Sequence, residues 1–101
     1  MSSGVRKKYR GSFVGTGANI DILVPGFRPA EVSLFNAGGG LSSASWQKEM
    51  PDGSMQKEIT AGTTSFVTGG NGITPLANGF RLGADANLNI AGQTVYYSCE
   101  E

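Results

Sequence analysis

The chain has 101 residues and no net charge, which is enough for one domain with a single thin hydrophobic core. It contains no histidine and one cysteine, Cys99, so it cannot form an internal disulfide and has few ligands for a transition metal. Its sixteen glycines lose conformational entropy on folding, so we expect the domain to gain stability by associating with copies of itself or with a larger assembly.

The chain begins with a basic segment. Four of the eight basic residues and one tyrosine lie close together there: Arg6, Lys7, Lys8, Tyr9 and Arg10. We expect residues 1–10 to form an extended arm that binds an acidic protein surface, followed by a single β domain at residues 11–101. A solvated arm or an edge strand is the alternative interpretation. Nucleic acid is disfavoured as a partner, because the rest of the chain carries all eight acidic residues.

The N-terminus also lacks the apolar core of a secretory signal, and no apolar run approaches the ~20 residues of a membrane span. No asparagine has the spacing of a glycosylation acceptor. We therefore expect a protein that is made in the cytoplasm, stays unmodified and does not enter a membrane.

Apolar and polar residues alternate with a period of two along most of the chain, which predicts short strands with one buried face. Helical spacing is hard to find, and the best candidate is interrupted by Pro51-Asp52-Gly53. The predicted strands are at residues 6–16, 18–24, 30–36, 42–50, 55–60, 64–68, 79–82, 86–90 and 94–99.

Turn signals rich in Gly, Pro and Asn separate these strands about every ten residues, a rhythm typical of sandwiches and small barrels. The clearest is Pro51-Asp52-Gly53, which predicts a hairpin between a strand ending at Met50 and one beginning at Met55. The sequence therefore predicts an all-β fold, a compact antiparallel β-sandwich or small barrel.

No motif predicts catalysis. The glycines from Gly11 to Gly17 lack the spacing of a phosphate loop, and no serine has a base beside it. The acidic residues show no spacing that selects a catalytic pair, and Asp21 and Glu31 are predicted to face solvent. Residues 85–89 could offer oxygens to calcium, but an Asn-rich turn is the favoured interpretation. We expect no enzyme activity, no cofactor and no metal, with Cys99 packed as a small apolar residue.

Three aromatic residues are candidates for an interface or for stacking on a glycan: Trp46, Tyr96 and Tyr97. Because Tyr96 and Tyr97 are neighbours on a predicted strand, they should point to opposite faces, so at least one of them should lie in the core.

The order of strands and turns resembles that of small virion structural proteins of tailed bacteriophages. The resemblance covers about residues 20–101 and rests on an aromatic-x-Pro-x-x-Val strand, a Trp-x-x-x-Met hairpin, a Gly-Phe-x-Leu-Gly strand and a closing Asn-x-x-Gly-x-Thr-x-x-Tyr strand. These elements are at residues 27–32, 46–53, 79–83 and 89–97.

The resemblance implies a capsid decoration (cement) protein that binds the outer shell and stabilises the head as a homotrimer. Its partners would be the major capsid protein or other virion proteins, and the basic segment would suit an arm that adds to the shell. A tail, baseplate or fibre component is the first alternative. A carbohydrate-binding module on the virion surface is the second.

Overall fold

Nine short strands account for the regular structure of the described residues, which in this computed structural model are 7–23, 26–38, 42–59 and 62–101. No helix occurs among them. The strands are β1 (Lys8–Val14), β2 (Ile20–Ile22), β3 (Glu31–Asn36), β4 (Ser42–Gln47), β5 (Met55–Glu58), β6 (Thr64–Val67), β7 (Ile73–Leu76), β8 (Gly79–Leu82) and β9 (Thr94–Glu100).

The strands form two antiparallel sheets. A six-stranded sheet has the order β1-β9-β3-β4-β5-β6, and a three-stranded sheet has the order β2-β8-β7. An isolated antiparallel bridge between Ser54 and Ile73 links the larger sheet to β7 at one side. The predicted all-β, sandwich-like fold is confirmed, and the Cα radius of gyration of 12.9 Å is that of a compact chain of this length.

The core lies between the two sheets because alternate side chains of each strand point inward. In β3, Val32 and Leu34 are buried while Glu31, Ser33 and Phe35 are exposed. The smaller sheet contributes side chains that are fully or almost fully buried: Ile22, Ile73, Phe80 and Leu82. A single cluster of buried apolar residues joins both sheets.

The predicted hairpin at Pro51-Asp52-Gly53 is present, since β4 pairs with β5. The strand before it ends at Gln47 rather than Met50, and the connection is correspondingly longer. Gly53 has a φ of 82°, a left-handed conformation that favours glycine. Trp46 Nε1 donates to the Pro51 carbonyl over 3.1 Å, so the turn also satisfies the buried indole.

One predicted strand is absent and one observed strand was not predicted. Residues 86–90 form turns instead of a strand, because Asp85 Oδ1 accepts hydrogen bonds from the backbone N–H groups of Asn87 and Leu88. Residues 73–76 form strand β7, which the sequence did not predict. This strand contains Pro75, a residue tolerated at the edge of a sheet, where its missing N–H points away from the ladder.

The boundary expected between an arm and a domain falls inside β1. Lys8, Tyr9 and Arg10 belong to the large sheet and pair with β9, because Tyr9 and Phe13 share the inward face of an alternating strand. The extended-arm interpretation therefore does not apply to residues 8–10, and the edge-strand alternative does. Arg6 lies outside the described residues, as do residues 24 and 60 at the ends of two predicted strands.

Candidate functional site: an exposed sheet face and its open edge

The outward face of the six-stranded sheet carries short polar side chains in rows that cross the sheet. The strand registers place one row in the order Arg10, Ser98, Ser33, Ser45, Gln56 and Phe66. All of these residues are exposed except the half-buried Ser98. Because the central positions are serines, the middle of this row carries only short side chains.

Apolar side chains interrupt this polar face. Phe35 and Tyr96 are direct cross-strand partners near its centre, and they are 43% and 52% exposed. Val14 at one edge and Phe66 near the other are 55% and 54% exposed. Phe35 and Tyr96 are therefore the adjacent apolar pair on this face, rimmed by polar residues, and they are its candidate interaction surface.

The edge of this face is formed by β1, whose outer backbone groups have no strand partner among the described residues. Glu101 N donates to Lys7 O over 2.8 Å and Gly15 N donates to Gln93 O over 2.9 Å. Bonded and non-bonded positions alternate along an antiparallel strand, so the backbone groups of the odd-numbered residues of β1 bond to β9. The even-numbered residues therefore direct their N–H and C=O groups away from the sheet: Lys8, Arg10, Ser12 and Val14. Such a row is a template for an added strand.

One cation of the basic segment, Lys8, lies beside a carboxylate of the same chain. Lys8 Nζ lies 3.7 Å from Glu100 Oε2, and Glu31 stands opposite Glu100 on the next strand. Lys7 is joined through its backbone to Glu101. The acidic C-terminus thus lies beside the basic N-terminal strand, so the described part of this segment offers a partner less excess positive charge than the sequence predicts. Exposed pairs of this kind contribute little to stability.

Of the three candidate aromatic residues, only Tyr96 is on the surface. Trp46 is 3% exposed and Tyr97 is 6% exposed, so neither can stack on a glycan or contact a partner. The expectation that Tyr96 and Tyr97 face opposite sides is confirmed. Trp46 shares the inward face of β4 with Ala44, and its indole is held against the turn that follows.

Tyr97 is the aromatic centre of the core. Its ring centroid lies 5.3 Å from that of Phe80 in an edge-on arrangement, which connects the two sheets. The rings of Tyr9 and Phe13 lie 6.1 Å and 6.0 Å away, which fastens β1 to the rest of the sheet. Burial raises the pKa of Tyr97 to about 12 because the phenolate is poorly solvated there.

Cys99 is buried, as expected for a small apolar residue of a strand. Burial also raises the pKa of its thiol, which disfavours the thiolate form that reacts.

The loop at residues 83–90 is organised by two buried polar side chains. Asn89 accepts hydrogen bonds from Thr16 N and Gly17 N, and it donates to the Ala18 and Gly83 carbonyls. Asp85 caps the following turn and accepts a bond from Lys57. This is the Asn-rich turn favoured by the sequence. Among the described residues, no three or more His, Cys, Asp or Glu side chains come together as metal ligands.

Lys57 is the polar residue that the sequence interpretation missed. Its Nζ is 2.9 Å from Asp85 Oδ2 and 2.9 Å from Asn87 Oδ1. The signal was present, because Lys57 shares the inward parity of Met55 on β5, and an inward lysine requires a polar partner. The partner itself is 28 residues away and could not be identified from spacing.

Asp21 and Glu31 are exposed, as predicted. Arg81 Nε donates to Asp21 Oδ1 over 2.6 Å, with Nη2 3.2 Å from Oδ2. This hydrogen bonding lowers the pKa of the Asp21 carboxyl below its usual value. The pair links β2 to β8 on the outer face of the small sheet.

Comparisons with known proteins identify no relative. No family model matches the chain, and no match was found among curated proteins or among solved structures. Within the described residues, no helix is long and apolar enough to cross a membrane.

Proposed function

We propose that this chain is a structural protein of a tailed-bacteriophage virion, and specifically a capsid decoration protein that binds the outer shell and stabilises the head. The observation that carries the proposal is the open seven-residue edge of β1 beside the exposed Phe35–Tyr96 pair. An edge supplies directional backbone hydrogen bonds, and the face supplies apolar area. Together they suit a protein that adds to a larger assembly.

The protein stabilises the shell by binding to it, without a chemical reaction. An extended segment of a shell protein adds to β1 as a further antiparallel or parallel strand, and Phe35 and Tyr96 are covered by the same partner. Copies joined as a homotrimer contact several shell subunits at once, so that modest individual affinities combine into tight attachment. Attachment rests on the backbone edge and the apolar face, with Lys8 of β1 already close to a carboxylate of the same chain.

The test is binding of the purified protein to heads of the parent phage that lack it. Ser12→Pro removes one outward N–H of β1 and leaves the ladder to β9 intact, since Ser12 does not bond to β9. Gly11 precedes it and tolerates the backbone restriction that proline imposes. We expect Ser12→Pro and Tyr96→Ser each to weaken binding, and Ser12→Thr to bind as the unchanged protein does.

Location and oligomeric state separate the alternatives. Subtracted electron-microscopy density at local three-fold positions of the shell, together with a trimer in light scattering, supports the decoration protein. Density on the tail, baseplate or fibres favours the alternative structural location. Heads that bind Ser12→Pro and Tyr96→Ser as tightly as the unchanged protein would exclude this edge and face as the attachment site.

A carbohydrate-binding module is the second candidate, favoured by Tyr96 lying beside the hydroxyls of Ser33 and Ser98. Because Trp46 and Tyr97 lie in the core, the exposed aromatic side chains of this candidate glycan site are Tyr96 and Phe35. Glycan-array binding that is lost in Tyr96→Ala would favour this candidate, and an array without binding would exclude it.

A further inference from the structure

A half-buried lysine lies against an asparagine and an aspartate. Lys57 on β5 is 14% exposed in its side chain, and Asp85 in the loop between β8 and β9 is 5% exposed. Lys57 Nζ is 2.9 Å from Asp85 Oδ2 and also 2.9 Å from the carboxamide oxygen of Asn87. The amine therefore touches both a carboxylate and an amide.

The two partners of Lys57 are held in place by other bonds. Asp85 Oδ1 accepts from Asn87 N over 2.8 Å and from Leu88 N over 3.0 Å, which leaves Oδ2 for the lysine. The backbone carbonyl of Asn87 accepts a bond from Nδ2 of Asn36, a fully buried residue of β3. The carboxylate of Asp85 and the backbone of Asn87 are thus held in place before any chemistry.

This geometry is close to that of an attack on the amide. The Cγ of Asn87 is one C=O bond, about 1.2 Å, from the oxygen that Lys57 contacts, so Nζ and Cγ lie within about 4.1 Å. Reacting atoms in a near-attack arrangement are about 3–3.5 Å apart, and holding them there gives the large rate gain of an intramolecular reaction. A displacement of Lys57 Nζ toward Cγ by at most about 1 Å brings them to that distance.

We propose that Lys57 and Asn87 react to form an intramolecular isopeptide bond, with Asp85 as the group that moves the proton. Asp85 Oδ2 takes a proton from Lys57 Nζ, and the neutral amine attacks Cγ of Asn87. Asp85 passes this proton to the Asn87 nitrogen as the Cγ–Nδ2 bond breaks, and the second proton that Nζ loses in forming the amide passes through Asp85 to the departing ammonia, which leaves as ammonium. A secondary amide between Nζ and Cγ forms and one molecule of ammonia leaves, so the reaction needs no oxidant and no cofactor.

The bond would fasten β5 to the loop before β9 and close a covalent ring between positions 57 and 87. The chain has no disulfide to do this, since it contains a single cysteine. The inference concerns the folded domain itself and does not depend on the proposed virion function.

The experiment is an intact-mass measurement on the folded, full-length protein after denaturation, repeated until the mass is constant. Isopeptide formation lowers the mass by one ammonia, about 17 Da, and peptide mapping then finds the Lys57 peptide joined to the Asn87 peptide. A mass equal to that of the unmodified sequence would overturn the proposal.

Variants separate this bond from a succinimide at Asn71-Gly72 or Asn78-Gly79, which causes the same loss of mass. Lys57→Met and Asp85→Asn should each retain the full mass, while Lys48→Arg, at an exposed lysine, should still lose ammonia. Asn87→Asp should lose water instead of ammonia, because the leaving group changes. A mass loss that persists in Lys57→Met, in protein whose circular dichroism is unchanged, would also refute the isopeptide.

Discussion

Tyr96 and Tyr97 are neighbours on β9 but lie on opposite faces of the sheet, so truncating each one tests which face is buried. Tyr97 is 6% exposed and contacts three aromatic rings, whereas Tyr96 is 52% exposed. Truncation of a buried aromatic residue to alanine costs about 3–5 kcal/mol. A domain of this size loses about 5 °C of Tm for each kcal/mol, so we expect Tyr97→Ala to lower Tm by about 15–25 °C.

Tyr96→Ala is the matched control, because it makes the same chemical change one residue away. It removes one cross-strand pair with Phe35, which is worth at most about 1 kcal/mol, so Tm should fall by less than about 5 °C. Thermal unfolding followed by circular dichroism at one fixed protein concentration measures both values. Equal losses in the two variants would refute the assignment of Tyr97 to the core and Tyr96 to the surface.

Three further predictions follow from single contacts. Because burial raises the pKa of Tyr97 to about 12, the folded state retains a proton that the unfolded state loses near pH 10. Urea midpoints of the unchanged protein should therefore fall from pH 10 to 12, and they should fall less in Tyr97→Phe. Asn89→Ala leaves four backbone groups without their partner and should cost about 2–3 kcal/mol in urea unfolding, with faster amide exchange at Thr16 and Gly17. Gly79→Ala places a methyl group against the Ile22 carbonyl, so a lower Tm is expected, and an unchanged Tm would contradict that close approach.

Local alternation predicted the burial of strands whose apolar residues recur at every second position. β3 and β9 are the best examples, because their patterns run without interruption for six and seven residues. The alternation of apolar and polar residues wrongly predicted a strand at residues 86–90, where Leu88 and Ile90 alternate with asparagines. There the carboxylate of Asp85 binds the backbone N–H groups of the next residues, and a capped turn is formed instead of a ladder.

The sequence could place aromatic residues on a face but could not say which face is buried. Tyr97 is inward only because β8 of the other sheet brings Phe80 against it, and that packing joins positions far apart in the chain. The same limit applies to Lys57, whose inward parity was readable while its partner Asp85 was not. Both cases are decided by contacts between residues far apart in the chain, and the local spacing of residues does not predict such contacts.

The edges of the two sheets differ in a way that bears on attachment. On β7, Ile73 exchanges backbone bonds with Gly53 and Ser54, Pro75 lacks an N–H, and the Pro75 carbonyl accepts a bond from Arg28. That edge is closed to a further strand. Among the described strands, β2 has three residues and β6 has four, while β1 presents seven. With the β7 edge closed and the β2 and β6 edges short, β1 is the long edge available for pairing. The attachment of a partner strand is therefore best sought at β1.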